Sequence, residues 1–278
     1  MMNIDQDFIR TTVHSFHRSL MRDGFLCDHS ELLPLNGNYD DEVYQKIYAL
    51  KYLPAYYFEY CILANLLLER LNKNSVTDIN IASMGCGLYP DYFALLHNLG
   101  GINFNYYGYD VCHWKARRLL PEGNDNLYLT SRSVNQISTK ILGKFDVFIF
   151  PKSIKDIEQS SDIEQLAQEI SKTKKDKLYF LNSYVNTSLD QTSAHVKIFE
   201  HIHNELIRHD FRTADKHTVT QYMGNANTGL KAIDVHFDYP KECIVLCQDK
   251  DNDCRCKVRD YPILTNRYLD YQILEYTR

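Results

Sequence analysis

The run Ile79-Asn80-Ile81-Ala82-Ser83-Met84-Gly85-Cys86-Gly87-Leu88-Tyr89-Pro90-Asp91 starts apolar and breaks at Gly-x-Gly. It leads into Tyr92-Phe93-Ala94-Leu95-Leu96-His97-Asn98-Leu99, a stretch with the make-up of a helix. A strand that ends in close glycines just before a helix is how open α/β sheets make room for a nucleotide-like ligand at the strand's carboxyl end. The third position of a Gly-x-Gly-x-x-Gly fingerprint is Pro90. That argues against a pyrophosphate seated on the helix N-terminus, where the third glycine allows close approach. An acid then follows at the distance one βαβ unit requires: Asp110, in Asn105-Tyr106-Tyr107-Gly108-Tyr109-Asp110-Val111, stands 25 residues after Gly85.

Outward from this motif the pattern alternates. Strands are expected at 78–84, 103–109, 126–130, 145–150 and 177–182, with helical stretches such as 91–99, 161–171 and 191–208 between them. Alternation of this kind gives right-handed crossovers and a mainly parallel sheet. Segments 211–221 and 242–248 are expected to close its far edge, and residues 249–278 read as a polar turn and a tyrosine-rich tail. No internal repeat is visible.

Before the motif, residues 6–72 read as helical apart from the loop Leu33-Pro34-Leu35-Asn36-Gly37-Asn38, and Pro54 is expected to kink or divide the second helix. Tyr44, Tyr48, Tyr52, Tyr56 and Tyr60 recur every four residues. On one helix they form a stripe that drifts by about 40° per step. Amphipathic packing with hydroxyls at the rim is the favoured reading, and a cofactor-facing or base-stacking wall is the alternative. The organisation expected is thus a helical region 1–76, an α/β domain 77–250 and a C-terminal extension 251–278 packed on it.

Composition sets outer limits. The chain has 278 residues, 44% of them hydrophobic, enough for a sizeable core, and a net charge of −5. That charge argues against a broad electropositive nucleic-acid footprint. The sequence has no signal-like leader and no apolar run of membrane-spanning length, so a cytoplasmic protein with no membrane partner is expected. Its eight cysteines read as reduced thiols. Cys243, Cys247, Cys254 and Cys256 cluster with spacings unlike zinc knuckles, so no metal is expected. The histidines, among them His14, His17, His195, His201, His203 and His209, lack a His-Glu-x-x-His arrangement and read as helix-surface residues. Met223-Gly224-Asn225-Ala226-Asn227-Thr228-Gly229 reads as a surface loop or a substrate lid.

The glycine motif and Asp110 together resemble the class I S-adenosylmethionine-dependent methyltransferases, whose first strand commonly ends in a Leu-Asp-Leu-Gly-Cys-Gly-like signature. The resemblance implies a Rossmann-like, mostly parallel seven-stranded sheet, here with an N-terminal helical appendage, and S-adenosylmethionine as cofactor. Carried over by position, it places Ser83, Met84, Gly85, Cys86 and Gly87 in the cofactor loop and Asp110 on the ribose. Val111 and Cys112 fall near the adenine, with Ser133 and Val134 at the third strand's end. Pro151 falls in the fourth-strand loop, where the methyl acceptor enters, and Lys152 beside it is the candidate catalytic residue. The acid that usually precedes the first glycine is Ser83 here, and the third glycine of Gly-x-Gly-x-Gly is Tyr89.

A narrower resemblance is to the aminoglycoside-resistance ribosomal RNA methyltransferases, through Gly85-Cys86-Gly87-Leu88-Tyr89-Pro90 and Phe148-Ile149-Phe150-Pro151-Lys152. Methyl transfer to an unknown acceptor, whether small molecule, protein or RNA, is the leading expectation. The alternatives are a non-catalytic regulatory protein that binds S-adenosylmethionine or a nucleotide, a ribosomal RNA methyltransferase, and a nucleotide-dependent oxidoreductase.

Overall fold

The computed structural model describes residues 2–23, 39–185, 189–216, 220–221 and 269–278. Two helices come first, α1 (Gln6–Asp23) and α2 (Glu42–Lys73). The α/β alternation follows: β1 (Asp78–Met84), α3 (Pro90–Asn98), β2 (Asn103–Asp110), β3 (Leu127–Ser131), β4 (Val147–Pro151), α4 (Ile154–Ser160), α5 (Ile163–Ser171), β5 (Lys177–Val185) and α6 (Leu189–Arg208). Short β6 (Thr220–Gln221) and β7 (Leu269–Thr277) complete one seven-stranded sheet in the order β3-β2-β1-β4-β5-β7-β6. The first five strands run parallel and β7 pairs antiparallel with β5, Lys177 opposite Thr277 and Val185 opposite Leu269. This is the seven-stranded, mostly parallel Rossmann-like sheet that the resemblance implied.

The inner strands β1, β4 and β5 are buried on both faces because each face carries its own core. Ile79 and Ile81 of β1 join α1, α2 and α3 on one side, while Ala82 and Met84 face the side covered by α5 and α6. Near-continuous apolar strands are what two-sided coverage demands. The order of strands reverses between β1 and β4, so the crevice for a ligand opens over their carboxyl ends.

Pro54 does not divide α2, which runs through it as one helix. An interior proline costs a hydrogen bond and about 3 kcal/mol, and the burial of Leu50, Leu53, Tyr57 and Phe58 around it outweighs that. Asp41 caps the helix by accepting from the amides of Val43 and Tyr44, at 2.7 and 3.3 Å. Within the tail, Leu269–Thr277 is a sheet strand between β5 and β6. Its alternation buries Leu274 and Tyr276 on one face while Tyr271 and Ile273 pack on the other. Of the expected edge segment 211–221, the described parts are a bridge from Arg212 to Thr277 and the two residues of β6. The loop 33–38, the segment 242–248, the loop 223–229 and the four clustered cysteines lie outside the described residues.

Candidate functional site

A cavity of about 700 Å³ opens over the carboxyl ends of the strands. The β1 loop forms its floor. Gly85 and Gly87 have φ of 78° and 53°, values that favour glycine. Gly85 is further constrained by a close approach, since a Cβ there would lie 2.5 Å from Ser153 Cβ in the loop after β4. The Ser153 hydroxyl donates to the carbonyl of Met84, which ties the two loops together. Asp110 closes the turn from the other side: one carboxylate oxygen accepts from the Gly87 amide at 2.8 Å and the other from the Cys112 amide at 2.8 Å. Each oxygen retains a second lone pair for a ligand hydroxyl. Arg117 completes the brace, with Nε donating to the Gly87 carbonyl at 2.9 Å and Nη2 meeting Cys86 Sγ at 3.3 Å.

Of the residues expected around the ligand, Gly85, Cys86, Gly87, Asp110, Val111, Cys112, Val134, Pro151 and Lys152 line this cavity together. Three others do not. Ser83 is fully buried behind the loop, where its hydroxyl donates to Asp91 at 2.7 Å. Met84 contributes its carbonyl to Ser153 and its side chain to the core. The Ser133 hydroxyl meets that of Ser161 at 2.9 Å, and it is Ser161 that reaches the cavity.

The tyrosine stripe is more than helix packing. All five rings, with Tyr39, line the cavity opposite the glycine loop. Tyr52 and Tyr56 stack with centroids 5.6 Å apart and planes 15° apart, and Tyr39 and Tyr48 pack against Trp114 at 5.4 and 5.8 Å. Burial, reinforced by neighbouring groups, raises the Tyr48 and Tyr60 hydroxyls well above their ordinary pKa, so both stay protonated.

Lys152 lies in a left-handed conformation, φ 59°, and its side chain is buried rather than spread on a surface loop. Its ammonium pairs with the Glu59 carboxylate and reaches Ser183 Oγ at 3.3 Å. It also sits 4.1 Å from the Tyr56 ring centroid and 5.1 Å from that of Tyr60. Burial lowers the Lys152 pKa and raises that of Glu59, in each case against the pull of the partner's charge.

Sequence reasoning missed several contributors. Glu59 was a lone acid inside the tyrosine stripe, and that placement was the available signal. Trp114, the chain's single tryptophan, follows Asp110 closely and packs on Gly87. Asp91, under the loop, accepts from Ser83 and from Tyr106 at 2.8 Å. His195, expected on a helix surface, lines the cavity, and burial together with Lys155 lowers its pKa. His17, also expected on a surface, is 2% exposed. Among the described residues no cluster of three metal-ligating side chains occurs, and no helix is long and apolar enough to cross a membrane.

Neither a protein-family model nor a curated protein sequence matches the chain. Among solved structures it is similar to a plantazolicin methyltransferase in complex with a monoazolic desmethylPZN analogue and S-adenosylhomocysteine. The identity is 12% over 95% of this chain and 99% of that one, with a TM-score of 0.48. A SAM-dependent methyltransferase from Aquifex aeolicus shares 11% identity over 78% of this chain and 92% of its own, TM-score 0.42. A cyclopropane synthase from Mycobacterium tuberculosis shares 10% over 78% and 83%, TM-score 0.43. At such identities the likeness is confined to the course of the chain.

Proposed function

We propose that this chain is an S-adenosylmethionine-dependent methyltransferase acting on a small acceptor held against the tyrosine wall. The observation that carries this reading is Asp110, at the carboxyl end of β2 and bonded to the Gly87 amide. Its carboxylate is placed to accept from ribose hydroxyls beside a glycine loop at the sheet's switch point. The residues fit that cofactor better than a dinucleotide. Pro90 begins α3 with no N–H to offer a pyrophosphate, and Tyr89 and Pro90 are both buried. A nicotinamide-dependent oxidoreductase is disfavoured for the same reason.

In this reading Gly85, Cys86 and Gly87 form the cofactor's floor, Asp110 holds its ribose, and Val111, Cys112 and Val134 border its base. Ser83 and Met84 act from behind the loop, and Pro151 borders the acceptor. When bound, the cofactor supplies a sulfonium methyl group open to in-line attack. Alignment and exclusion of water can provide much of the rate for such a step. Tyr52 and Tyr56 give the acceptor a flat apolar wall, and Lys152, held by Glu59, positions the β4 loop that borders it. His195 is the cavity-lining imidazole kept neutral near pH 7, able to take a proton from an N–H or O–H acceptor.

An RNA acceptor is not favoured, because the chain's net charge of −5 does not suit a partner whose phosphates must be neutralised. Calorimetric titration with S-adenosylmethionine, S-adenosylhomocysteine and NAD tests the cofactor. Binding of the first two, lost in Asp110→Ala, is expected, whereas binding of NAD alone, or of none, overturns the reading. Transfer of a labelled methyl group to a small-metabolite fraction, and not to RNA or protein, is the result expected for the acceptor. Cofactor binding without transfer to any fraction would instead mark a regulatory protein.

A further inference from the structure

The tyrosine wall already holds ammonium groups. Lys152 Nζ lies 4.1 Å from the Tyr56 ring centroid and 5.1 Å from that of Tyr60, with the Glu59 carboxylate as its counter-ion. Lys51 Nζ lies 5.4 Å from the centroid of Tyr52. A ring face attracts a cation through its quadrupole, the more so where water is kept away. At the other end of the wall, Tyr39 and Tyr48 carry no cation among the described residues. Both keep accessible surface and line the cavity. Their centroids are 5.6 Å apart and their planes 83° apart, so the two rings form a corner.

That end of the cavity also has a carboxylate. Asp156, at the start of α4, is accessible and lines the same cavity. Among the described residues its carboxylate makes no hydrogen bond or ion pair. Enclosure by the cavity walls raises its pKa and Asp110 adds to this, against the pull of Lys155. Its charge reaches Tyr39, whose hydroxyl is raised by burial first, then by Tyr44 and Asp156. It also reaches Cys112, pushed up to about 11 by burial, Asp110, Asp40 and Asp156. Negative potential beside unfilled ring faces suits an organic cation and disfavours an anion. The remaining positive groups of the lining act elsewhere: burial and then Lys155 lower the His195 pKa, and Arg132 opposes the burial that raises Tyr109.

We propose that the corner formed by Tyr39, Tyr48 and Asp156 binds an organic cation, the protonated or quaternary amine of the methyl acceptor. The proposal rests on the S-adenosylmethionine reading above and names the acceptor's chemical class, an amine-bearing small molecule. The amine is an anchor. Without a free lone pair it has nothing with which to attack, so the methyl group goes to another nucleophilic atom of the same molecule. The cofactor's own sulfonium is the other cation that enters such a cavity, and the test separates the two.

The test is calorimetry, with and without saturating S-adenosylhomocysteine, using 3-hydroxyphenyltrimethylammonium, its uncharged isostere 3-tert-butylphenol and the anion 3-hydroxybenzoate. The cation is expected to bind roughly tenfold or more tightly than the isostere, and the anion most weakly. Asp156→Asn should remove most of that advantage while leaving the isostere's affinity unchanged. Tyr39→Leu should also reduce it, whereas Tyr39→Phe, which keeps the ring face, should preserve it. Because Asp156 is exposed, Asp156→Asn decides the matter even if a tyrosine variant folds poorly. Equal binding of cation and isostere, preference for the anion, or an advantage untouched by Asp156→Asn overturns the proposal. If Asp156→Asn weakens S-adenosylmethionine but not S-adenosylhomocysteine, the charge bound is the sulfonium's and the assignment to the acceptor falls. If S-adenosylhomocysteine does not bind while the cation keeps its advantage, the methyltransferase reading falls and the cation site stands.

Discussion

The carboxylate of Glu59 and the ammonium of Lys152 meet beneath the tyrosine wall, with side chains only 1% and 7% exposed. The second oxygen of Glu59 has no hydrogen-bond partner, so the pair is buried but incompletely satisfied. Removing one member strands the other's charge, which typically costs about 3–5 kcal/mol, while replacing both by apolar groups of similar size is often neutral. Glu59→Leu and Lys152→Met are each expected to lose stability on that scale in urea unfolding. The double variant Glu59→Leu/Lys152→Met should recover most of the loss. Additive losses would show that the two groups do not depend on each other.

Asp91 gives stability a pH dependence. Burial raises its pKa to about 6, against the hydrogen bonds from Ser83 and Tyr106 that lower it. A folded pKa above the unfolded value of 3.8 means the folded state holds the proton more tightly. This contribution is therefore full below about pH 4 and is lost as pH rises through about 6. The loss amounts to roughly 3 kcal/mol at most, taking about 1.4 kcal/mol per pKa unit. Unfolding free energies measured from pH 4 to 7 should fall less steeply in Asp91→Asn than in the wild type. Parallel profiles would refute the assignment.

The parallel part of the sheet was legible because its signals are local: apolar runs of strand length separated by amphipathic stretches, with a glycine break at the end of β1. The glycine loop and Asp110 were legible as a pair because one βαβ unit fixes their separation. Long-range pairing escaped detection. That residues 269–277 form β7 depends on partners in β5 about ninety positions earlier, which no local periodicity encodes. The commitment of Lys152 to Glu59 likewise joins residues 93 apart. The stripe's spacing showed which tyrosines share a face, but which surface that face meets is set by how α2 crosses the strand ends.

The close approach of Gly85 and Ser153 yields a rescue experiment. Gly85→Ala puts a methyl group where Ser153 Cβ is 2.5 Å away and forces a non-glycine residue to φ 78°. The two costs are separable: about 1–3 kcal/mol for overpacking and about 1–3 for the backbone. Thermal unfolding should show a large loss for Gly85→Ala and partial recovery in Gly85→Ala/Ser153→Gly, which removes the clash and leaves the backbone strain. No recovery would mean the loss is entirely conformational.

Arg117 distinguishes a loop brace from a phosphate contact. Its guanidinium serves the Gly87 carbonyl and Cys86 Sγ at once and lies 5.6 Å from the centroid of the Tyr89 ring. A lysine carries the same charge but cannot reproduce a planar fork with several fixed donors. If the residue braces the loop, Arg117→Lys should weaken S-adenosylhomocysteine binding by roughly tenfold or more, in line with about 1.5–3 kcal/mol for a charged hydrogen bond. If it met RNA phosphates, the same substitution would leave binding and its salt dependence nearly unchanged, because counterion release depends on charge and not on shape. Titrations of the variant with the nucleoside and with a structured RNA, each at low and moderate salt, separate these outcomes. A loop brace predicts a loss for the nucleoside with little dependence on salt, because the guanidinium acts on the ligand through Gly87 and Cys86 rather than by its charge.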